Sequence, residues 1–233
     1  MIKAVMFDLD GTLLPMDQNR FVESYFKLLC KKAAPCGYDA QELISSIWTC
    51  TEAMVKNNGK STNEDVFWNR FAEIYGAERL SDRPMFDGFY RNEFENARLD
   101  CGFDPKAART VGAIKNAGYR VVLSTNPIFP AAATEARIRW AGLRPDDFEI
   151  YTTYENSSFS KPNPMYYANL AGQMGLSNDE CLVVGNDVGE DMVAADIGMK
   201  VFLMTHSLIN NKNSDISIYP NGSFDELMKY MGL

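Results

Sequence analysis

The chain has 233 residues, 46% of them hydrophobic, enough for one large or two small domains with a true core. Its 31 acidic and 23 basic side chains give a formal net charge of −8, which argues against nucleic acid or an anionic membrane as partner and leaves any anionic ligand to be met by local positive charge. Five cysteines without Cys-x-x-Cys spacing read as reduced structural thiols, and the lack of a long apolar run or a basic-then-apolar leader points to a cytoplasmic protein.

The chain opens on an apolar run, residues 2–7, that reads as a buried strand and ends in Asp8-Leu9-Asp10-Gly11-Thr12-Leu13. Alternation along a strand aims Asp8 and Asp10 the same way, at the carboxyl end where open α/β sheets place their ligands, and Gly11 permits a sharp turn. Two acids so close resist joint ionisation unless a cation or a shared proton relieves them. One could attack as a carboxylate nucleophile while the other carries a proton, and bound Mg²⁺ would support that division.

After Pro15 the pattern changes. Residues 20–33, 39–56 and 63–75 carry apolar residues at helical spacing, with Asp39 expected to cap the second segment and Ser61 or Asn63 the third. A fourth helical stretch over 83–96 places Phe86, Phe89, Tyr90 and Phe94 at a spacing that suits a core. From Phe103 onward helices at 105–117, 131–141, 163–174, 190–197 and 224–231 alternate with strands at 120–123, 148–152, 181–184 and 200–204. This rhythm predicts an α/β fold, a Rossmann-like parallel sheet with helices on both faces. The first helical block then becomes an all-helical insertion, with the α/β core at 1–14 and 101–233 and the insertion at 15–100. Residues 210–217 read as a polar loop. His206 is the only histidine and has no Gly-x-Ser-x-Gly elbow to serve, so a surface or loop role is expected for it.

Three further stretches carry chemistry. The strand 120–123 ends in Ser124-Thr125-Asn126-Pro127, where a hydroxyl and a backbone N–H can donate to a phosphate oxygen. Ser160-Lys161-Pro162-Asn163-Pro164 precedes a helix and offers one ammonium as a point charge. The strand 181–184 runs into Gly185-Asn186-Asp187-Val188-Gly189-Glu190-Asp191, a second acidic strand end.

In this order, Asp8/Asp10, Thr125, Lys161 and the 182–191 stretch resemble the four motifs of the haloacid dehalogenase-like (HAD) phosphohydrolases. The resemblance implies that Asp8 attacks phosphorus to form an aspartyl-phosphate, while Asp10 protonates the leaving alkoxide and then activates water. It implies that Thr125, Asn126 and Lys161 bind the phosphoryl group, and that Mg²⁺ is held by Asp8, Asp10 and an acid of the fourth motif. Here the chain departs from the family: Asn186 stands where the first of those acids is expected. Asp187 is favoured as the ligand in its place, with Asn186 and Asp191 as the other candidates. The inserted helices look like the family's helical cap, with Trp48, Lys56, Trp68 and Arg70 as candidates to meet the leaving group. The implied activity is Mg²⁺-dependent hydrolysis of a small phosphorylated metabolite. A phosphomutase, a receiver-like signalling module and a non-catalytic binding protein are the alternatives. The second acid, Asp10, argues against the dehalogenase branch.

Overall fold

The structure, a computed structural model, describes residues Met1–Leu233. Six parallel strands form one sheet: β1 (Ala4–Phe7), β2 (Arg120–Leu123), β3 (Ile150–Tyr151), β4 (Cys181–Gly185), β5 (Lys200–Met204) and β6 (Asn221–Gly222), in the order β3-β2-β1-β4-β5-β6. Strand β1 is buried along its length because both its faces are covered: Val5 and Phe7 enter one apolar cluster, Ala4 and Met6 the other. The neighbouring strands divide their side chains in the same way, Leu182 and Val184 to the first cluster and Cys181 and Val183 to the second. Phe7 lies level with Leu123 of β2 and Val184 of β4, so the three chains leave the sheet side by side. The order of strands reverses beside β1, and such a switch point opens a crevice at the carboxyl edge.

Helices α5 (Pro105–Asn116), α6 (Ala131–Trp140) and α8 (Phe224–Met231) cover the face of the larger cluster, and α7 (Pro164–Gln173) covers the other. Helices α1 (Gln18–Ala33), α2 (Ala40–Val55), α3 (Asn63–Tyr75) and α4 (Arg83–Arg91) form the insertion, and their apolar faces extend the larger cluster. The segments that lead into and out of the insertion touch: Met16 bridges Cys101, and the Gly102 N–H donates to the Pro15 carbonyl at 2.6 Å. A Cβ on Gly102 would stand 3.0 Å from that of Pro15, so any larger residue would crowd this contact. No helix is long and apolar enough to cross a membrane.

The sequence reading needs four local corrections. The cap of α3 is Thr62, whose hydroxyl accepts from the Asp65 N–H, and not Ser61 or Asn63. Asn63 is instead fully buried: its amide donates to the Pro127 carbonyl and to Ser160 Oγ, both at 3.0 Å, and accepts from Asn57 at 2.8 Å. The stretch 83–96 is not one helix, because the Asn92 side chain donates to the Gly88 carbonyl and the chain continues as a 3-10 turn, Glu93–Asp100. After β4 the expected helix shrinks to a 3-10 segment, Met192–Ile197, since Asp191 is held inward by Lys161, and the strand expected over 148–152 pairs only at Ile150–Tyr151. The sequence reading had no counterpart for β6.

Loss of the Asn63 amide leaves the buried Pro127 carbonyl without its donor and takes one of two partners from Ser160 and from Asn57. Asn63→Ala is therefore expected to destabilise the protein by about 2–3 kcal/mol, against about 1 kcal/mol for the cap change Thr62→Ala; urea midpoints of the two variants measure the difference.

Candidate active site

The three adjacent strand ends bring Asp8, Thr125 and Asn186 to one edge of the sheet. Asp8 follows β1, and its N–H donates to the Val184 carbonyl at 2.9 Å. The chain then folds back so tightly that the Leu9 carbonyl accepts from the N–H groups of Thr12, Leu13 and Leu14. Gly11 has φ +86°, and a Cβ there would lie 2.4 Å from Asn186 Nδ2, so conformation and space both require glycine. Thr12 Oγ stands 3.0 Å from Asp8 Oδ2 and 2.9 Å from Asn186 Oδ1, yet it has one proton to give. The Asn186 amide is oriented by its own donation to the Ser207 carbonyl at 2.7 Å.

Lys161 is buried directly against this turn, its ammonium 2.8 Å from Asp8 Oδ1 and 2.6 Å from Asp191 Oδ1. The second carboxylate is held by the Tyr167 hydroxyl at 3.0 Å and the Asp187 N–H at 3.0 Å. Burial alone would depress the lysine, but Asp191 and Asp8 keep it well above its ordinary value. One ammonium cannot neutralise two buried carboxylates. Burial accordingly pushes Asp8 up to about 7, against the pull of Lys161.

Asp10 has a different partner. Its Oδ2 is ion-paired with Arg137 of α6, a side chain only 1% exposed that stacks 4.5 Å from the centre of the Phe129 ring. The guanidinium also faces Thr134 Oγ and the Ala133 carbonyl, both at 3.3 Å. Asp10 Oδ1 is buried and has no partner. Thr125 uses its carbonyl to accept from Thr152 at 2.6 Å and Tyr166 at 2.9 Å, leaving its hydroxyl for the cavity it lines. Ser124, its neighbour, points into the interior with an unpaired hydroxyl. Asn126 donates to both oxygens of Glu190 at 3.2 Å, and burial pushes the Glu190 carboxyl up to about 7. Asp187 accepts from the Gly189 and Glu190 N–H groups at 2.7 and 3.1 Å and is raised by its burial.

These groups surround a cavity of about 260 Å³. Asp8, Asp10, Thr125, Asn126, Asn186, Asp187 and Asp191 all line it, and Lys161 touches it through Asp8. Of the insertion's four candidates only Trp48 reaches the cavity: Lys56 pairs with Glu52 at 2.5 Å, Arg70 pairs with Glu73 at 2.6 Å, and Trp68 is buried within the insertion beneath Arg83. His206 Nε2 lies 3.1 Å from the Thr12 carbonyl, beside the turn and away from the reacting groups. The sequence reading missed Thr12, Arg137 and Glu190 as members of the site. Arg137 had a signal, since it shares a helix face with Ala133, Ala136 and Trp140, and a cation on so apolar a face requires a buried anion.

No three acidic, histidine or cysteine side chains converge into a metal cage. The donors nevertheless fit a hard divalent cation, which needs only one or two carboxylates and keeps several waters. Asp10 Oδ1 is a buried oxygen with no donor, and Thr12 can satisfy only one of the two oxygens beside it. Asp8, Glu190 and Asp187 are all raised by burial, as carboxylates are where positive charge is too scarce.

Comparison with known proteins agrees with this geometry. Residues 2–196 match the family described as haloacid dehalogenase-like hydrolase. The chain is 24% identical over 215 residues to the phosphoglycolate phosphatase of Nitrosospira multiformis, covering 92% of this chain and 87% of the relative. It is 25% identical over 211 residues to the glyceraldehyde 3-phosphate phosphatase of Methanothermobacter thermautotrophicus, covering 89% and 88%. Among solved structures it resembles a 2-haloacid dehalogenase from Pseudomonas syringae, with TM-score 0.63, 17% identity and 100% and 99% of the two chains covered. It also resembles the HAD hydrolase YfnB of Bacillus subtilis bound to magnesium, with TM-score 0.58, 18% identity and the same coverage. At these identities the structural likeness establishes the fold, which carries more than one chemistry.

Two measurements probe the electrostatics. Removing the cation from the Arg137–Asp10 pair leaves a largely buried carboxylate unpaired, so Arg137→Met is expected to cost about 3 kcal/mol. Adding Asp10→Asn should recover part of that loss in equilibrium urea unfolding. Between the ordinary value of 4.5 and about 7, folded Glu190 keeps a proton that the unfolded chain has released. Stability in divalent-free buffer should therefore fall as pH rises through that window, by on the order of 3 kcal/mol from this group. Glu190→Gln should flatten the decline, read as the urea midpoint against pH.

Proposed function

The chain belongs to the haloacid dehalogenase-like hydrolases, and from that premise we propose that it is a Mg²⁺-dependent phosphatase acting on a small phosphorylated metabolite. The observation that carries the reading is the pair of acids on one turn: Asp8 beside the buried Lys161, and Asp10 with one oxygen unpartnered in the same cavity. Hydrolysis through one carboxylate needs no second acid, whereas a phosphomonoester needs a proton for its leaving alkoxide. The phosphatase names of the two sequence relatives support the same choice.

In this mechanism an oxygen of Asp8 attacks phosphorus and the P–O bond to the leaving group breaks, giving an aspartyl-phosphate. Asp10 delivers a proton through its free Oδ1 and then takes one from the water that hydrolyses the intermediate. Lys161, the Thr125 hydroxyl and the Asn126 backbone N–H meet the equatorial oxygens, where charge must be stabilised. Mg²⁺ bound here would neutralise phosphoryl charge and return Asp8 to its ionised form. Asp8 would hold it through its carboxylate and Asp10 through its backbone carbonyl, which leaves Oδ1 free for the proton. For the third donor we assign Asn186 Oδ1 in preference to Asp187, because it shares the Thr12 hydroxyl with Asp8 while one Asp187 oxygen is occupied by two N–H groups. Asp191 keeps Lys161 in place. We further assign residues 15–100 as a cap over the cavity, with 1–14 and 101–233 as the catalytic core; the touching segments at Pro15 and Gly102 suit such a boundary.

Phosphate release from a panel of phosphomonoesters tests the reading. Asp8→Asn is expected to abolish release, by about a thousandfold or more, and Asp10→Asn to lower it by about 10²–10⁴. Full activity in Asp8→Asn would overturn the nucleophile. Asn186→Asp is expected to tighten Mg²⁺ binding measured by calorimetry, and Asp187→Asn to leave it within about threefold, since an added carboxylate in contact with the cation strengthens the site more than a carboxylate outside it.

A further inference from the structure

The two ends of the cavity differ in charge. Near Asp8 lie the Thr125 hydroxyl and the Lys161 ammonium, which suit a phosphoryl group. Away from it the wall is mostly apolar, Met16, Phe21 and Val22, Trp48 of α2, and Ile128 and Phe129 of the loop after β2, with the neutral Gln18 of α1 beside them. Arg137 is the one cation that lines the cavity, and its guanidinium is enclosed by Asp10, the Phe129 ring, Thr134 and the Ala133 carbonyl. None of the insertion's cations lines the cavity, and five of them are tied to acids elsewhere: Lys32 to Glu93, Lys56 to Glu52, Arg70 to Glu73, Arg79 to Asp82 and Arg83 to Glu64. The cavity's remaining charged groups are carboxylates.

A leaving group bearing a carboxylate or a second phosphate would meet no free cation at this end and would exchange water for apolar side chains, with only carboxylates as its nearest unpaired charges, and each of these raises its cost. An apolar group would instead displace water from Phe129, Ile128 and Trp48, and the indole is 51% exposed and open to a flat partner. We propose that the substrates of this site are phosphomonoesters whose leaving group is uncharged and presents an apolar, flat face to Trp48. This rests on the phosphatase reading and narrows it: phosphorylated carboxylic acids such as phosphoglycolate, and bisphosphates, fall outside the preferred class.

The test is calorimetric binding of two non-hydrolysable phosphonates to the Mg²⁺-loaded protein, benzylphosphonate and phosphonoacetate, which differ in phenyl against carboxylate. Benzylphosphonate is expected to bind at least tenfold more tightly, and Trp48→Ala to remove most of that advantage while leaving phosphonoacetate unchanged. Equal or tighter binding of phosphonoacetate, binding of neither, or a preference untouched by Trp48→Ala would overturn the proposal. Phosphate release from benzyl phosphate is measured alongside. The preference without release would sink the phosphatase reading and keep the pocket assignment, whereas release without the preference would do the reverse.

Discussion

The site depends on one ammonium shared by two carboxylates. Lys161 is taken out of water by the sheet and α7, and such a charge is tolerated only where anions repay its desolvation. Asp8 comes from the end of β1 and Asp191 from the turn after β4, so the ion group ties three distant parts of the chain at the edge where the sheet reverses. Breaking such a pair from one side costs about 3–5 kcal/mol. The same arithmetic leaves one negative charge over, and the surplus makes the turn receptive to a further cation. Structural and chemical demands therefore meet in the same three side chains.

Arg137 solves a second problem of the same kind. An acidic chain has to bring several carboxylates together without letting them repel one another. Here each is given a hydrogen-bonding partner, though only two of the partners are cations: Lys161 shared by Asp8 and Asp191, Arg137 for Asp10, the Asn126 amide for Glu190, and backbone N–H groups for Asp187. Local pairing lets a protein of net charge −8 gather five carboxylates around one cavity. It also means that little positive charge there is left unpaired.

Much of this could be read from the chain, for reasons that differ by level. Five of the six strands and most helices followed from apolar periodicity and glycine stops, because each is specified by residues within itself. Asp8 and Asp10 were legible because the acidic end of an apolar strand announces itself locally, whereas Thr125 and Lys161 stood out only through their likeness, in order and context, to the HAD motifs. Thr12 and Glu190 were passed over, since their roles depend on Asn186 and Asn126 far away in sequence. Arg137 was visible in principle on its helix face, but its partner lies 127 residues away. Asn63 read as a cap because asparagine often is one; only the fold reveals the carbonyl of Pro127 and the hydroxyl of Ser160 that claim its amide. The break at Asn92 and the short 3-10 turn after Asp191 arise where a side chain takes what the helix would have used.

The burial of Asn63 has a mechanical consequence. The insertion is fastened to the rest of the molecule where Pro15 meets Gly102, where the start of α3 grips Ser160, where Trp140 donates to Glu95, and along the shared apolar cluster. Of these, only the grip on Ser160 adjoins the buried ion group, because the next residue is Lys161. A load on the insertion at this grip is therefore carried to the ammonium through one covalent link.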